Sequence, residues 1–372
     1  MEPIRVLQVC GEPFAGGGQE SFLMNTYRHI DRMRVQFDFF TPFENRAPAM
    51  EREIMALGGR VWSAELPFGE DNRRHFRQGL SAFLAEHRYA IVHVHSGSTY
   101  ALACGAKLAR RSGAQAVIVH SHCGGFANLR YRVARLTTHY PLLRYPTHYF
   151  ACSHLAARWK FPPSVIRAGK YAVSPNAVDT ARCRYDPDLR RQMRRQLGLG
   201  DAPTIGHVGR FALQKNHRFL IEVFAALTAI LPAAQLVLVG EGELLDDTLA
   251  LVDKLGLEDR VHYLGTRQDI PALMQVFDLL LLPSFFEGLP VVGVEAQAAG
   301  LPVVTSTGVT RELPLPDLAT YLPLSMSAEE WAQRVAEMLA TLRRDTSREM
   351  TAAGYEVGQA AADLQRRYEE MV

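Results

Sequence analysis

The sequence is poor in cysteine and in net charge. Five cysteines, Cys10, Cys104, Cys123, Cys152 and Cys183, are scattered through 372 residues, and no two form a Cys-x-x-Cys pair. An odd, dispersed set excludes a disulfide framework and a zinc ribbon, and it suits a reducing compartment. The formal charge of +2 is too small to argue for a nucleic-acid partner. No apolar run approaches the roughly 20 residues of a membrane-spanning helix. The N-terminus enters a strand pattern at once, with no apolar segment of the secretory kind. Several chemistries are missing as well. No Gly-Lys-Ser/Thr closes the glycine turn near residue 17, and no Gly-x-Gly-x-x-Gly follows a strand. Gly-x-Ser-x-Gly and His-Glu-x-x-His are absent, which removes the simplest hydrolase readings. The one Asp-x-Asp, Asp186-Pro187-Asp188, sits among arginines and has no metal-binding context.

What the chain does have is alternation. Hydrophobic residues make up 48% and charged residues 22%, as in a globular protein. Short apolar runs alternate with helical patterns, which predicts layered parallel α/β structure. In the first half the strand candidates are 4–10, 35–40, 91–95, 116–120, 148–151 and 171–173. In the second half they are 204–208, 235–239, 261–264, 278–282 and 302–305. Helices are expected between them, for example over 216–231 and 244–255. The Pro- and Gly-punctuated region between 175 and 200 separates two such patterns. The expected domains are 1–180, 181–350 and a last helix in 351–372 that crosses back to the first. Ligands of such folds bind at the carboxyl ends of the strands, so two facing sheets would place a site in a cleft between them.

Chemistry-bearing residues concentrate at those strand ends. After the run Leu279–Leu282 comes Phe-Phe-Glu-Gly-Leu-Pro-Val-Val-Gly-Val-Glu, with Glu287 and Glu295 eight positions apart. Gly288 allows close approach of a ligand to the backbone, and Pro290 suits the first turn of a helix. A helix rise of about 1.5 Å per residue would set the carboxylates roughly 10–12 Å apart. Free N–H groups at the helix start would favour an anion between them. That layout fits hexose, diphosphate and ribose; two glutamates on a solvated helix face would also satisfy the spacing. Gly16, Gly17 and Gly18 precede a helix and could aim N–H groups at a ligand or simply make a turn. His93 and His95 share one sheet face, as do His120 and His122. Four converging imidazoles would admit a metal; without an acidic companion, ordinary hydrogen-bonded histidines explain them too. Arg210 and Lys215 put two permanent cations after the first strand of the second half, suited to a developing diphosphate charge.

These motifs resemble the Glu-x7-Glu signature of family-4 retaining glycosyltransferases, in particular their exopolysaccharide and capsule branch. The likeness extends over nearly the whole chain, including Glu20–Asn25, Gly209-Arg210-Phe211 with Gln214–His217, and Phe286–Pro302. It implies the GT-B fold: two Rossmann-like doubly wound domains facing across a cleft. It implies that Glu287 contacts the donor sugar, that Glu295 binds ribose hydroxyls and that Arg210 and Lys215 stabilise the leaving diphosphate. His120, rather than His122, is the match for the histidine near the reacting centre. Gly17 and Gly18, with Glu20, would touch donor phosphate or acceptor, Gly209 and the stretch Gly288-Leu289-Pro290 would bind the donor, and Arg267 would lie near the base. Asp269 is expected to cap the next helix. Gly293 departs from the pattern, where a bulkier residue is usual, and would widen the donor pocket.

The implied activity is metal-independent, retaining transfer from a nucleotide sugar, UDP-linked by resemblance, to a glycan or polyprenyl-diphosphate-linked acceptor. No cofactor, metal or nucleic acid is expected. Residues 126–148 combine Arg130, Arg132, Arg135 and Arg144 with Phe126, Tyr131, Tyr140 and Tyr145, without an acidic residue. That composition suits an anionic membrane surface or a diphosphate-lipid acceptor, and equally a solvated helix. The expected location is the cytoplasm, with this stretch offering contact with the membrane's inner face. Two other readings share the fold: a nucleotide-sugar epimerase, and a non-catalytic nucleotide-sugar-binding protein.

Overall fold

The computed structural model describes residues 2–14, 17–45, 47–125 and 129–372, with residues 129–132 described in backbone only. The chain divides into two units, Met1–Ala177 with Val357–Val372, and Val178–Glu356.

The first unit is built on seven parallel strands: β1 (Ile4–Cys10), β2 (Val35–Phe43), β3 (Arg60–Leu66), β4 (Ile91–Ser96), β5 (Ala116–Ser121), β6 (His148–Ala151) and β7 (Ala172–Val173). Their order is β3-β2-β1-β4-β5-β6-β7. Strands β2, β4 and β5 are buried along their whole length, because helices cover both faces of a parallel sheet. Phe14, Phe22, Tyr27, Phe37 and Phe39 form one core with Leu364 and Tyr368. The last two come from the final helix, Val357–Glu369, which packs on the helix Gly18–His29 and on β2. Arg34 and Glu369 pair at 2.7 Å to fasten it.

The second unit has six parallel strands: β8 (Thr204–Val208), β9 (Gln235–Val239), β10 (Val261–Tyr263), β11 (Leu279–Leu282), β12 (Val303–Ser306) and β13 (Ala319–Leu322), in the order β10-β9-β8-β11-β12-β13. Trp331, Phe224, Leu220 and the inner faces of β8, β9 and β11 make its core. In both sheets the chain starts at the centre, runs to one edge, and returns to the other side. The strand order therefore reverses between β1 and β4, and between β8 and β11. Those reversal points open a crevice at the carboxyl ends of the strands.

Two strands lie outside the sequence expectation. β3 is an edge strand with no fully buried residue, and β13 is only four residues long. Neither carries the apolar run by which an inner strand is read. The Asp186-Pro187-Asp188 run has a structural role: the Asp186 carboxylate caps the helix Pro187–Gln196 by accepting from the N–H groups of Asp188 and Leu189. From that helix Arg190 pairs with Asp278 at 2.5 Å and donates to the carbonyls of residues 275–277.

Candidate active site

In the second unit the two loops that leave the reversal-point strands are bound to each other. The Gln214 carbonyl accepts from Phe285 N–H at 2.8 Å, and its side-chain amide donates to the Phe286 carbonyl at 2.9 Å. Asn216 adopts a left-handed backbone, φ +57°, which asparagine tolerates better than most residues, and it donates to the Pro283 carbonyl at 3.2 Å. A Cβ on Gly209 would lie 3.0 Å from Lys215 Cε, so glycine leaves room for the lysine stem. Lys215 Nζ then reaches Glu287 Oε1 at 2.5 Å. Ser284 Oγ donates to the same oxygen at 3.0 Å, and Gln214 Nε2 to Oε2 at 3.1 Å. Three donors offset the desolvation of this buried carboxylate. Arg210, which follows Gly209 on the same loop as Lys215, is exposed. Gln214 lay within a stretch that carries the family likeness but had no role assigned to it, and Ser284 did not stand out in the sequence, where a short polar residue before a glutamate carries no special signal.

The same crevice holds two buried histidines. His207 Nδ1 donates to the Leu281 carbonyl at 2.8 Å, and burial, with the Lys215 charge, brings its pKa down to about 4. Burial takes His217 down to about 2. Both rings are neutral near pH 7, which leaves Lys215 and Arg210 as the cations there. The turn Gly240-Glu241-Gly242 is required by packing. A Cβ on Gly240 would meet the Gly209 carbonyl oxygen at 2.1 Å, and one on Gly242 the Phe211 oxygen at 2.4 Å.

Four expectations need correction. The helix after Glu287 starts at Val291, with Pro290 as its N-cap, so Glu287 lies in the loop before it. The separation of Glu287 from Glu295 is therefore not an axial helix rise. The N-cap residue, Pro290, makes no side-chain cap hydrogen bond; Gly288, Leu289 and Pro290 are buried at the helix start. Gly293 faces the interior, where a Cβ would crowd Leu313 at 3.0 Å and Pro290 at 3.3 Å, so it permits tight packing instead of widening a pocket. Asp269 does not cap its helix with its side chain. It holds Arg267 in a two-point pair at 2.8 and 2.7 Å, which keeps its carboxyl below the usual range. Glu295 is the fifth residue of the helix Val291–Ala298 and is half-buried. Desolvation pushes its pKa up to about 7 against the pull of Arg182.

In the first unit, Gly17 is the N-cap of the helix Gly18–His29, and both glycines are exposed. Gly16 lies outside the described residues. The strands β4 and β5 are neighbours in register, His95 opposite His120. His93, His95, His120 and His122 accordingly stack, with centroids of adjacent rings 4.0–5.2 Å apart. Phe22 closes over them, 4.9 Å from the His120 ring. His93, His95 and His120 offer nitrogens within 4.8 Å of one another, a spacing that a metal could use. Yet both nitrogens of His93 and of His95 are already hydrogen-bonded within the protein. At the reversal point of this sheet, a cavity of about 490 Å3 is lined by Gly11, Glu12, Arg73, Arg74, Ser98 and Tyr100, among others.

Two family profiles match the chain: Glycosyltransferase Family 4 over residues 16–182, and Glycosyl transferases group 1 over residues 202–341. EpsF of Bacillus subtilis (strain 168), which is assigned as a glycosyltransferase, is 33% identical over 362 residues, covering 95% of this chain and 93% of that protein. The GDP-mannose-dependent alpha-(1-6)-phosphatidylinositol monomannoside mannosyltransferase of Mycobacterium tuberculosis is 29% identical over 373 residues, covering 95% and 93%. Among solved structures, Anabaena Alr3699/HepE in complex with UDP and glucose is similar in fold. Its TM-score is 0.73 at 20% identity, over 99% of this chain and 100% of that one.

Proposed function

The chain belongs to the family-4 glycosyltransferases of the two-domain GT-B fold, and we propose that it moves a sugar from a nucleotide diphosphate to a glycan or lipid-linked acceptor in surface-polysaccharide assembly. The observation that carries this reading is the Lys215–Glu287 pair at the reversal point of the second sheet, with Arg210 exposed on the loop that bears Lys215. A departing diphosphate gains negative charge. Lys215 and Arg210 lie on the loop that would meet it, and the helix after Pro290, a residue that offers no side-chain cap, adds oriented N–H groups. Once a diphosphate draws Lys215 towards itself, Glu287 is released to accept from sugar hydroxyls. Glu295 grips the ribose, and the backbone around Arg267 receives the base. Retention of configuration follows the resemblance. The reaction needs no metal, because the charge compensation is supplied by side chains and peptide groups.

UDP-linked sugars are the first choice of donor, supported by the UDP in the Anabaena relative's structure; the mycobacterial relative's GDP-mannose makes GDP-linked sugars the rival. An acceptor with a lipid anchor fits the mycobacterial relative's phosphatidylinositol monomannoside. It also fits the surface of the first unit. No described helix is long and apolar enough to cross a membrane. On the helix Leu129–Arg144, however, Val133, Leu136, Tyr140 and Leu143 are 51, 78, 67 and 41% exposed, at spacings of three, four and three. They form one stripe on the face opposite the buried Thr138 and Leu142. Phe126 and the side chains of Arg130, Tyr131 and Arg132 lie outside the described residues; Arg144 is exposed and Arg135 half-buried. The whole segment 87–178 holds twelve Lys and Arg and no Asp or Glu, in a chain with 41 basic and 39 acidic residues. An exposed apolar stripe within an acid-free basic segment fits the interface of an anionic bilayer.

A thermal-shift panel of UDP, GDP and their sugars tests the donor, since a ligand that binds only the folded state raises stability, by an amount that grows with the logarithm of its concentration over Kd. No shift with any nucleotide would defeat the reading. Transfer that EDTA abolishes and manganese restores would defeat its metal-free part.

A further inference from the structure

The helix Asn72–Glu86 of the first unit borders two cavities. One is the cavity of about 490 Å3 at the reversal point of the sheet. The other is a groove of about 730 Å3 between this helix and its neighbour Thr99–Arg111. Arg74 lines both, so they meet at that residue.

One face of the helix serves both cavities. Phe76, Leu80, Phe83 and Leu84 turn the other face into the core. Arg74, Gln78, Ser81 and Ala85 recur every three or four positions and form a stripe along the groove. The chemistry changes in three steps along that stripe. Just before the helix, Glu70 and Asp71 line the first cavity, where Glu12 joins them. Ser96 Oγ at 2.7 Å and Gly97 N–H at 3.2 Å both donate to the Glu12 carboxylate and fix it. Carboxylates accept from hydroxyls and repel phosphates. About one turn further on come Arg74 and Arg77, both exposed, with Arg73 laid over the Tyr100 ring at 5.3 Å. Among the described residues the groove has no carboxylate in its lining. The helix Thr99–Arg111 contains no acid, and the helix Asn72–Glu86 contains only Glu86, at its far end. Guanidinium forks in such a setting match phosphate oxygens. Beyond the arginines the groove is lined by Ala82, Ala85 and Leu108. From Asn72 to Ala85 the helix rises roughly 20 Å, at about 1.5 Å per residue.

We propose that the two cavities are one site for a sugar joined through phosphate to a hydrocarbon chain. The sugar occupies the first cavity, Arg74 and Arg77 hold the phosphates, and the start of the chain lies over Ala82, Ala85 and Leu108. The order hydroxyl, anion, hydrocarbon is the order of the lining. A free neutral glycan would leave the arginines unused. A bare bilayer phosphate would leave the carboxylate-lined cavity unfilled. That this ligand is the acceptor rests on the glycosyl-transfer reading; the order of its groups does not. The acceptor is thereby narrowed to one that carries its sugar on a lipid phosphate.

Calorimetric titration of the full chain tests this, with UDP or GDP saturating the donor site. The probes are farnesyl diphosphate, inorganic pyrophosphate and farnesol. Farnesyl diphosphate is expected to bind more tightly than either fragment. Arg74→Gln with Arg77→Gln, both on an exposed face, should weaken it about tenfold or more through lost charge-assisted hydrogen bonds, with nucleotide affinity unchanged. Unchanged farnesyl diphosphate affinity in that variant overturns the site. If the variant instead loses only its capture by phosphatidylglycerol vesicles, a bilayer is the occupant and the proposal falls. Methyl NMR of alanine and leucine checks the order of groups. Farnesyl diphosphate should shift Ala82, Ala85 and Leu108. The form carrying glucose on its terminal phosphate should also shift Ala101, which lines the first cavity. Ala101 unmoved by the glucosylated form, or groove methyls unmoved by both, overturns the order. If neither nucleotide binds, the same titrations are run without one; arginine-dependent binding then supports this site while the glycosyl-transfer reading fails.

Discussion

Lys215 Nζ lies 2.5 Å from Glu287 Oε1 although the residues are 72 positions apart, and their side chains are only 15% and 10% exposed. The cation proposed to meet a diphosphate and the carboxylate proposed to meet a sugar thus hold each other in a largely dry environment. Neither can be removed without stranding the other.

That coupling sets the outcome of Lys215→Ala. Taken as a charge beside the leaving group, Lys215 should matter to transfer alone, with a loss of about 100- to 1,000-fold in kcat. The buried pairing adds a cost in stability of about 3–5 kcal/mol, because a carboxylate is left without its cation. Adding Glu287→Gln removes the stranded charge, so the double variant should regain most of that stability and none of the activity. Urea unfolding and initial transfer rates measure both. A double variant no more stable than Lys215→Ala would show that the pair is not coupled as its geometry implies.

Glu295 gives a pH dependence of one sign. Its folded pKa, about 7, is raised above the ordinary 4.5. The protonated form is the one that the fold favours, so its contribution is fully present below pH 4.5 and is lost as pH rises through about 7. The ceiling is about 3 kcal/mol from a shift of this size. Glu295→Gln should remove that decline from the pH profile of stability. Donor binding should run the other way and tighten as the carboxylate ionises, if it accepts from both ribose hydroxyls. Superimposable stability profiles for the variant and wild type would refute the assignment.

The buried histidines give the opposite sign. The folded pKa values of His93, His95, His120 and His122 lie below the ordinary 6.5. Below that value the unfolded chain takes up protons that the fold refuses. Stability is present above pH 6.5 and is lost as pH falls, by up to about 1.4 kcal/mol per ring for each pH unit. Four rings in one unit make this steep. Thermal melts across the range from about pH 7.5 to 5.5 should show a falling Tm, less steep in His122→Gln; a flat profile would mean that the rings accept protons where they sit.

Much of the scaffold was legible because inner parallel strands are buried on both faces. The bounds of β1, β6, β8 and β9 could be read directly from runs such as Gln235–Val239. β3 escaped because an edge strand needs no such run: Arg60–Leu66 includes exposed Arg60, Ala64 and Glu65. The convergence of the histidines was legible as far as same-face spacing on two strands; the pairing of β4 with β5 completed it. Gln8 and Tyr368, which hydrogen-bond to His95 and His93, were not legible, since their contacts join residues up to 360 positions apart. Glu287 was legible as a carboxylate near a helix start. Its true neighbours, Lys215, Gln214 and Ser284, come from the zipping of two loops, which leaves no periodic trace.

The exposed stripe on the helix Leu129–Arg144 leads to the last prediction. Four apolar side chains face outward on a helix otherwise bound to the helix Thr99–Arg111. They have no folding role that would be lost with them, so Leu136→Glu with Tyr140→Glu should alter stability little, within about 0.5 kcal/mol for surface positions. Membrane contact should respond strongly, because the change removes apolar insertion and places carboxylates against anionic lipid. Co-sedimentation with vesicles of phosphatidylglycerol and phosphatidylcholine should capture the wild type and release the variant. Pure phosphatidylcholine should bind neither well, because the acid-free segment supplies attraction only to a negative surface. Added salt should weaken the wild-type interaction, since exposed charges are screened beyond about 10 Å at 0.1 M salt. Equal capture of wild type and variant would place any membrane contact elsewhere on the chain, and equal capture by both lipid mixtures would remove the basic segment from the argument.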